Sequence, residues 1–446
     1  MPEIESHHHA HPPLRLSDNR RYLVDREGRP FFYFADTAWS IVWKGREREW
    51  IHYLERRHEQ GLTVVQVNLL PWCDDLADVE GNAPFVAGDV TRPNEAYFAR
   101  YDRFLNLASK RGLFTCLMLL WGGPREGLPA ARFTTEQATH FARWAVERFT
   151  GCRMIWSVSG DGPYDEEAEK WEAVGQAVDA ADPNDHPTTN HLVTSRGWRF
   201  LHHRSAWHDF HMIQTGHYAP ARDNIRALPL AYYRAKPTKA FVNGEPWYEA
   251  HPDMSDRPAY GPIFDEEHQR YAFWVSLLSG ATMGHTYGAQ GIWNWKRPGD
   301  DEAHLAGPQI GPIWSEALEL LGAEQCALGV RCLREWSWWR LQPTPERARS
   351  VSPETPPARQ PACARIPGEG WLVYLPADDH DVELLGLNVP GVGGLGVAGH
   401  GWRARWLDPR DGAEHAIGAV DVPGDGIWRA PERPSDEDWV LLLSAE

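Results

Sequence analysis

The chain has 446 residues and a formal net charge of −17, from 45 Lys and Arg against 62 Asp and Glu. That balance excludes a general electrostatic grip on nucleic acid or on an anionic membrane, and no apolar run approaches the roughly 20 residues of a membrane-spanning helix. With 42% hydrophobic residues the chain can bury a large core, and its length suits two or three domains.

Residues 1–19 read as a flexible polar leader. It carries His7-His8-His9-Ala10-His11, residues that suit a metal in a setting that suits a disordered segment. No apolar h-region occurs in residues 1–11. A cytoplasmic location is therefore expected as the sequence stands, or a secreted or periplasmic one if an upstream segment is missing.

From residue 20 to 341, strand-like and helix-like runs alternate. Strands are predicted at 31–35, 63–69, 114–120, 153–158, 187–191, 211–214, 239–243 and 281–287. Amphipathic helices are predicted over 46–60, 95–110, 136–149, 166–180, 223–235 and 266–278. Thr134-x-x-Gln137 forms a capping box, and Gly61, Gly112, Gly151 and Gly280 stand where helices should stop. The connection after the fifth strand carries the weakest pattern. Eight strands alternating with helices predict parallel βαβ units. The first strand runs into Phe34-Ala35-Asp36-Thr37-Ala38-Trp39 instead of a Gly-rich phosphate turn, so a (β/α)8 TIM barrel is expected over a doubly wound sheet.

Six Pro between residues 342 and 361 mark 342–362 as a linker or long loop. Residues 363–446 hold short alternating runs at 371–375, 382–387, 402–407 and 439–443, separated by Gly and Pro. A small accessory β-sandwich is predicted there. The six Cys form no C-x-x-C pair and read as buried thiols, not as a disulfide framework.

Catalytic groups of such a barrel sit at the C-terminal ends of its strands. Those ends are polar and aromatic: Asp36 and Trp39 after the first, Asn68 and Trp72 after the second, Trp121 at the third, Asp161 after the fourth. His191 ends the fifth, His217 and Tyr218 follow the sixth, Glu245 and Trp247 the seventh, and His285 and Tyr287 lie in the eighth. The chain has 23 Trp, whose flat amphipathic rings suit sugars. Glycoside hydrolysis needs two carboxyl groups across the scissile bond, and Asp161 and Glu245, each beside Gly, stand out as the pair. The plain alternatives are a turn-forming Asp and a strand-end salt bridge. Asp36 and Asn68 are expected to bond sugar hydroxyls or to tie barrel loops. Trp39, Trp72, Trp121 and Trp247 are stacking platforms or rim packing. His191, His217 and His285 bind substrate, orient a carboxylate or serve structure, and Tyr218 and Tyr287 join the substrate-binding set. His202, His203, His208 and His211 fall on the wrong side of the barrel for catalysis.

Five stretches together resemble a known family. They are the run from Arg21 to Trp39, Ile155-Trp156-Ser157-Val158-Ser159-Gly160-Asp161, Met212-Ile213-Gln214-Thr215-Gly216-His217, Asn243-Gly244-Glu245-Pro246-Trp247-Tyr248-Glu249, and Gly284-His285-Thr286-Tyr287-Gly288. In order and spacing they resemble the apiosidase-like glycoside hydrolases. Trp406-Leu407-Asp408-Pro409-Arg410-Asp411-Gly412 and the closing Asp438-Trp439-Val440-Leu441-Leu442 resemble the collagen-binding-type domain that follows this barrel. The resemblance implies a retaining glycosidase with Asp161 as acid/base and Glu245 as nucleophile. It implies no metal and no organic cofactor. The partner implied is a plant- or bacterial-type glycan or oligosaccharide, furanosides among them. Two rivals are weighed. A non-catalytic carbohydrate-binding protein would keep the Trp platforms and lose one carboxylate. A metal-dependent barrel, suggested by 21 His, wants His-x-His after strand one, where Asp36-Thr37-Ala38 stands.

Overall fold

The computed structural model describes residues 11–72, 77–122, 129–162, 164–193, 201–219, 221–256, 261–300, 310–352, 354–377, 381–387 and 401–445. The histidines at 7–9 and Cys73 lie outside the described residues.

Eight parallel strands make the barrel: β1 Tyr33–Thr37, β2 Val64–Asn68, β3 Phe114–Trp121, β4 Met154–Gly160, β5 in two pieces at Thr188–Thr189 and His191–Val193, β6 Phe210–Gln214, β7 Ala240–Glu245 and β8 Gly284–Tyr287. β8 returns to lie beside β1, with His285 opposite Phe34. The ring closes through β5. Its first piece pairs with β4 and its second with β6, and a parallel bridge joins Gly162 to Leu192. Nearly every strand residue is buried, as expected when side chains fill the barrel on one face and helices cover the other.

The helices are α1 Ile41–Lys44, α2 Glu47–Glu59, α3 Glu95–Lys110, α4 Thr135–Phe149, α5 Ala168–Ala181, α6 Ala221–Arg234, α7 Glu266–Leu278, α8 Trp314–Ala317 and α9 Leu321–Arg334. All six anticipated helices are present. The capping box opens α4: Gln137 N donates to Thr134 Oγ1 at 3.2 Å, and Thr134 N donates to Gln137 Oε1 at 2.9 Å. Gly61, Gly112 and Gly280 take the positive φ of helix stops. Gly151 does not; Cys152 N instead donates to the Phe149 carbonyl in an ordinary turn. α9 was not anticipated. Its interior Gly329 weakens the local helical signal, yet packing requires it, because a Cβ there would lie 2.3 Å from Phe273 Cε1 of α7. No described helix is long and apolar enough to cross a membrane.

Two boundaries differ from expectation. Part of the leader is structured: Leu14 is buried, and Arg15–Leu16 pairs with Leu23–Val24 in a small antiparallel sheet completed by Pro30–Phe31. The Pro-rich stretch is likewise built in. Gln342–Pro343 pairs with Ala362–Ile366, and Ala348–Ser350 with Val382–Leu385. Proline is tolerated in these short strands because edge positions need no donor on that side.

The C-terminal part holds two antiparallel sheets in a sandwich-like arrangement. In the strand Gly370–Leu375, Trp371, Val373 and Leu375 point into its own core, whereas Leu372 and Tyr374 join the core of the barrel. The alternation of a strand therefore serves two cores at once.

Candidate active site

The site starts from one amide inside the barrel. Gln66 of β2 accepts from Tyr33 Oη of β1 at 2.8 Å and from Thr286 Oγ1 of β8 at 3.3 Å, and donates to the Gly244 carbonyl of β7 at 2.9 Å. Residues from four strands can meet at one side chain only in the barrel interior. Asn68 lies two residues further along the same strand and so shares that face, one layer nearer the mouth. Its backbone is locked by Trp39 O and Tyr101 Oη. Its side-chain amide is fully buried and has no hydrogen-bond partner among the described residues.

Glu245 ends β7 above this layer. His191 Nε2 of β5 lies 2.8 Å from its Oε2, and His217 Nε2 of the loop after β6 lies 2.9 Å from its Oε1. The carboxyl group is buried. Burial alone would push its pKa up, but the two imidazoles outweigh that and hold it well below the usual carboxylate range. Tyr248 faces the same carboxylate; burial first and the Glu245 charge second keep its phenol protonated. Trp39 Nε1 donates to Tyr248 Oη at 2.7 Å.

Aromatic rings wall this carboxylate. Trp121 stacks on His191 with centroids 6.1 Å apart, and Trp39 packs 5.2 Å from Trp121. Trp121 also lies against Gly160, where a Cβ would come within 2.3 Å of the indole. Gly160 is therefore required by the close approach, and Asp161 follows it directly. Asp161 is half-buried and holds a left-handed φ of 50°. The sequence of contacts from Gly160 through Trp121 and His191 reaches Glu245. Asp161 and Glu245 thus belong to one rim of the barrel, on β4 and β7.

Further round the mouth, Trp72 packs on Trp43 and on Trp293, and Trp293 faces Tyr248 at 6.3 Å. Tyr218 is half-buried next to His217. Its ring fills the space a side chain at Gly216 would need.

Four of the anticipated substrate-binding residues are turned away. Asp36 points outward from β1 and accepts from Tyr53 Oη at 2.9 Å and Arg57 Nε at 2.7 Å, in an ion pair with no solvent exposure. It ties α2 to the barrel, the alternative role that the sequence left open. His285 packs edge-on against Phe273 of α7, and Tyr287 donates to Glu249 at 2.6 Å. Thr286 points inward from β8, so its two neighbours must point to the helices. Trp247 stacks on Phe264 and donates to the Tyr218 carbonyl, at 1% exposure. Sequence reasoning also missed three residues: Gln66 in the layer beneath the site, and Tyr248 and Trp293 at the mouth. Gln66 carried a signal, a polar residue in the apolar run of β2; the other two sat among many equivalent aromatics. The His202, His203, His208 and His211 group lies between α5, α6 and β6, outside the mouth.

Residues 17–340 match the family model described as the apiosidase-like catalytic domain. The chain belongs to this family. It is a glycosidase, with the TIM-barrel fold that apiosidase-like enzymes were expected to bring. A solved structure described as a glycoside hydrolase is 22% identical with a TM-score of 0.81, covering 97% of each chain. A glycoside hydrolase family 5 protein from Bacteroides vulgatus is 22% identical with a TM-score of 0.79, over 97% of this chain and 92% of that one. A family 5 mannosidase from Rhizomucor miehei is 14% identical with a TM-score of 0.52, over 72% of this chain and 98% of that one. At these identities the likeness is one of fold. No curated protein matches the chain.

Proposed function

We propose that this apiosidase-like chain is a retaining glycosidase in which Glu245 is the nucleophile and Asp161 the acid/base. The observation that carries the reading is the setting of Glu245: a buried carboxyl group at the end of β7 with an imidazole Nε2 at 2.8 Å from one oxygen and another at 2.9 Å from the other, contacts that favour the anion. A nucleophile must be ionised, and an acid must keep its proton. Asp161 sits in the more open position of the two, at the end of β4.

In the first step Glu245 forms a bond to the anomeric carbon while the bond from that carbon to the leaving oxygen breaks. Asp161 gives its proton to that oxygen. In the second step Asp161 takes a proton from water, the water oxygen bonds to the anomeric carbon, and Glu245 leaves as a carboxylate. Each carboxyl group ends in the state in which it began, and retention needs the two about 5–5.5 Å apart. Asn68, whose buried amide has no hydrogen-bond partner among the described residues, offers a donor and an acceptor to a sugar hydroxyl. Trp121 is the ring against which the sugar packs, with Trp39 buried behind it. The substrate class is a glycan or oligosaccharide, with furanosides first to be tried on the strength of the family.

The test is hydrolysis of a panel of aryl furanosides and pyranosides by wild type, Asp161→Ala and Glu245→Gly. The expected result is turnover by wild type, lost in Glu245→Gly and restored by azide as a glycosyl azide of inverted configuration. Proton NMR of the first-formed sugar should show the retained anomer. Activity that survives both substitutions would sink the assignment.

A further inference from the structure

Each oxygen of Glu245 has its own imidazole, and neither ring has a second hydrogen bond among the described residues. His191 Nδ1 and His217 Nδ1 are buried and lack a hydrogen-bond partner among the described residues. Each Nε2 faces one oxygen of the carboxylate, so each ring can donate from Nε2 to Glu245. The rings cannot easily turn away. His191 is held by Trp121 at 6.1 Å and Trp39 at 5.6 Å. His217 lies between Tyr248 at 4.2 Å and His251 at 4.7 Å.

We infer that His191 and His217 are positioning residues that clamp Glu245 from both sides, fix the plane of its carboxylate and set the lower pH limit of the enzyme. The inference rests on Glu245 as nucleophile. Of the three roles the sequence left open to these histidines, it takes the orienting of a carboxylate over substrate binding, because their Nε2 atoms face Glu245 and their Nδ1 atoms are covered. The groups that face the clamp are few. Glu245 comes from β7, Tyr248 from the loop behind it, His191 from β5 and His217 from the loop after β6. His251 stacks on the far side of His217 and directs its own Nδ1 to the Pro252 carbonyl at 2.7 Å. Tyr248 is a phenol and His251 spends its Nδ1 on a backbone carbonyl, so the hydrogen bonds that hold Glu245 come from the two clamp donors.

The clamp has a consequence for the reaction cycle. Hydrogen bonds to a carboxylate favour the free anion over the ester that forms when Glu245 carries the sugar. They help Glu245 to leave, so their loss should slow the second step more than the first. A purely structural pair of histidines would not divide the two steps.

The experiment compares wild type with His191→Phe, His217→Phe and His217→Gln, on an aryl glycoside that wild type hydrolyses. The acid limb of kcat/KM, which reports the free enzyme, should move to higher pH in both Phe variants. It should return toward wild type in His217→Gln, whose amide can still donate. The Phe variants should also accumulate glycosyl-enzyme, seen as a mass increase of one sugar on the intact protein. Should the Phe variants fail to fold, 15N spectra of the imidazoles in wild type decide: both Nε2 atoms must carry a proton that is hydrogen-bonded to Glu245. A ring without a proton on Nε2 overturns the clamp. So does an acid limb that stays in place while activity falls. Azide rescue of Glu245→Gly separates the two readings. Rescue with an unmoved limb overturns the clamp alone, whereas activity without Glu245 overturns both.

Discussion

Arg270 of α7 and Asp438, at the start of the closing strand, form a buried bidentate pair, with Nε to Oδ2 at 2.8 Å and Nη2 to Oδ1 at 2.7 Å. Gln325 of α9 takes the third donor of the guanidinium at 2.7 Å, and Tyr374 Oη donates to Asp438 at 3.1 Å. The pair joins the barrel to the C-terminal sheet where Leu372, Tyr374 and Leu442 enter the barrel core. A buried charge that loses its partner is costly, about 3–5 kcal/mol. Asp438→Ala should lower stability by that order and should do so for the whole chain. Calorimetry should show one transition at lower temperature. A second transition, with the barrel unaffected, would mean that the two parts fold independently.

His285 makes a prediction about acid. Burial lowers its pKa from the ordinary 6.5 to about 3. Between those values the unfolded chain binds a proton that the folded chain does not, so stability falls as pH drops through this window. His208 and His211 are lowered for the same first reason, burial, and act with the same sign. His285→Leu removes one such proton. Denaturant unfolding between pH 4 and 6 should show a pH slope shallower by about 1.4 kcal/mol per pH unit than in wild type. An unchanged slope would mean that the imidazole is protonated in the fold.

Asp161→Ala should reduce kcat by a factor of about 10²–10⁴ on substrates with poor leaving groups, the usual range for losing a general acid. On an activated aryl glycoside the first step should lose far less, because that leaving group needs no proton. The measurement is kcat/KM against leaving-group pKa. An equal loss at both ends of the series would assign Asp161 to binding.

Trp293 is half-buried and lies between Trp72 and Tyr248. Trp293→Ala should raise KM about tenfold, close to 1.4 kcal/mol of lost stacking, with a smaller change in kcat. Trp293→Phe should recover most of it. Loss of kcat at unchanged KM would argue that the ring positions Tyr248 instead.

The order of strands and helices in the barrel was legible in the sequence by itself. Hydrophobic period and the placement of Gly and capping residues are local, so the runs from β1 to β8 announce themselves one by one. The rim positions of Asp161 and Glu245 were legible for the same reason: Asp161 follows the last residue of β4 and Glu245 is the last residue of β7. Which side chains turn inward was not. Asp36, His285 and Tyr287 sit at strand ends like Asn68 and Glu245, but the pleat sends alternate residues to opposite faces, and the phase of that alternation is set by how neighbouring strands register. Only the closed ring decides that Thr286 reaches Gln66 and His285 therefore meets Phe273. The pairing of His191 and His217 with Glu245 is of the same kind. These residues stand 54 and 28 positions from it in the chain. A contact across that distance is made by barrel closure, and no local pattern carries it.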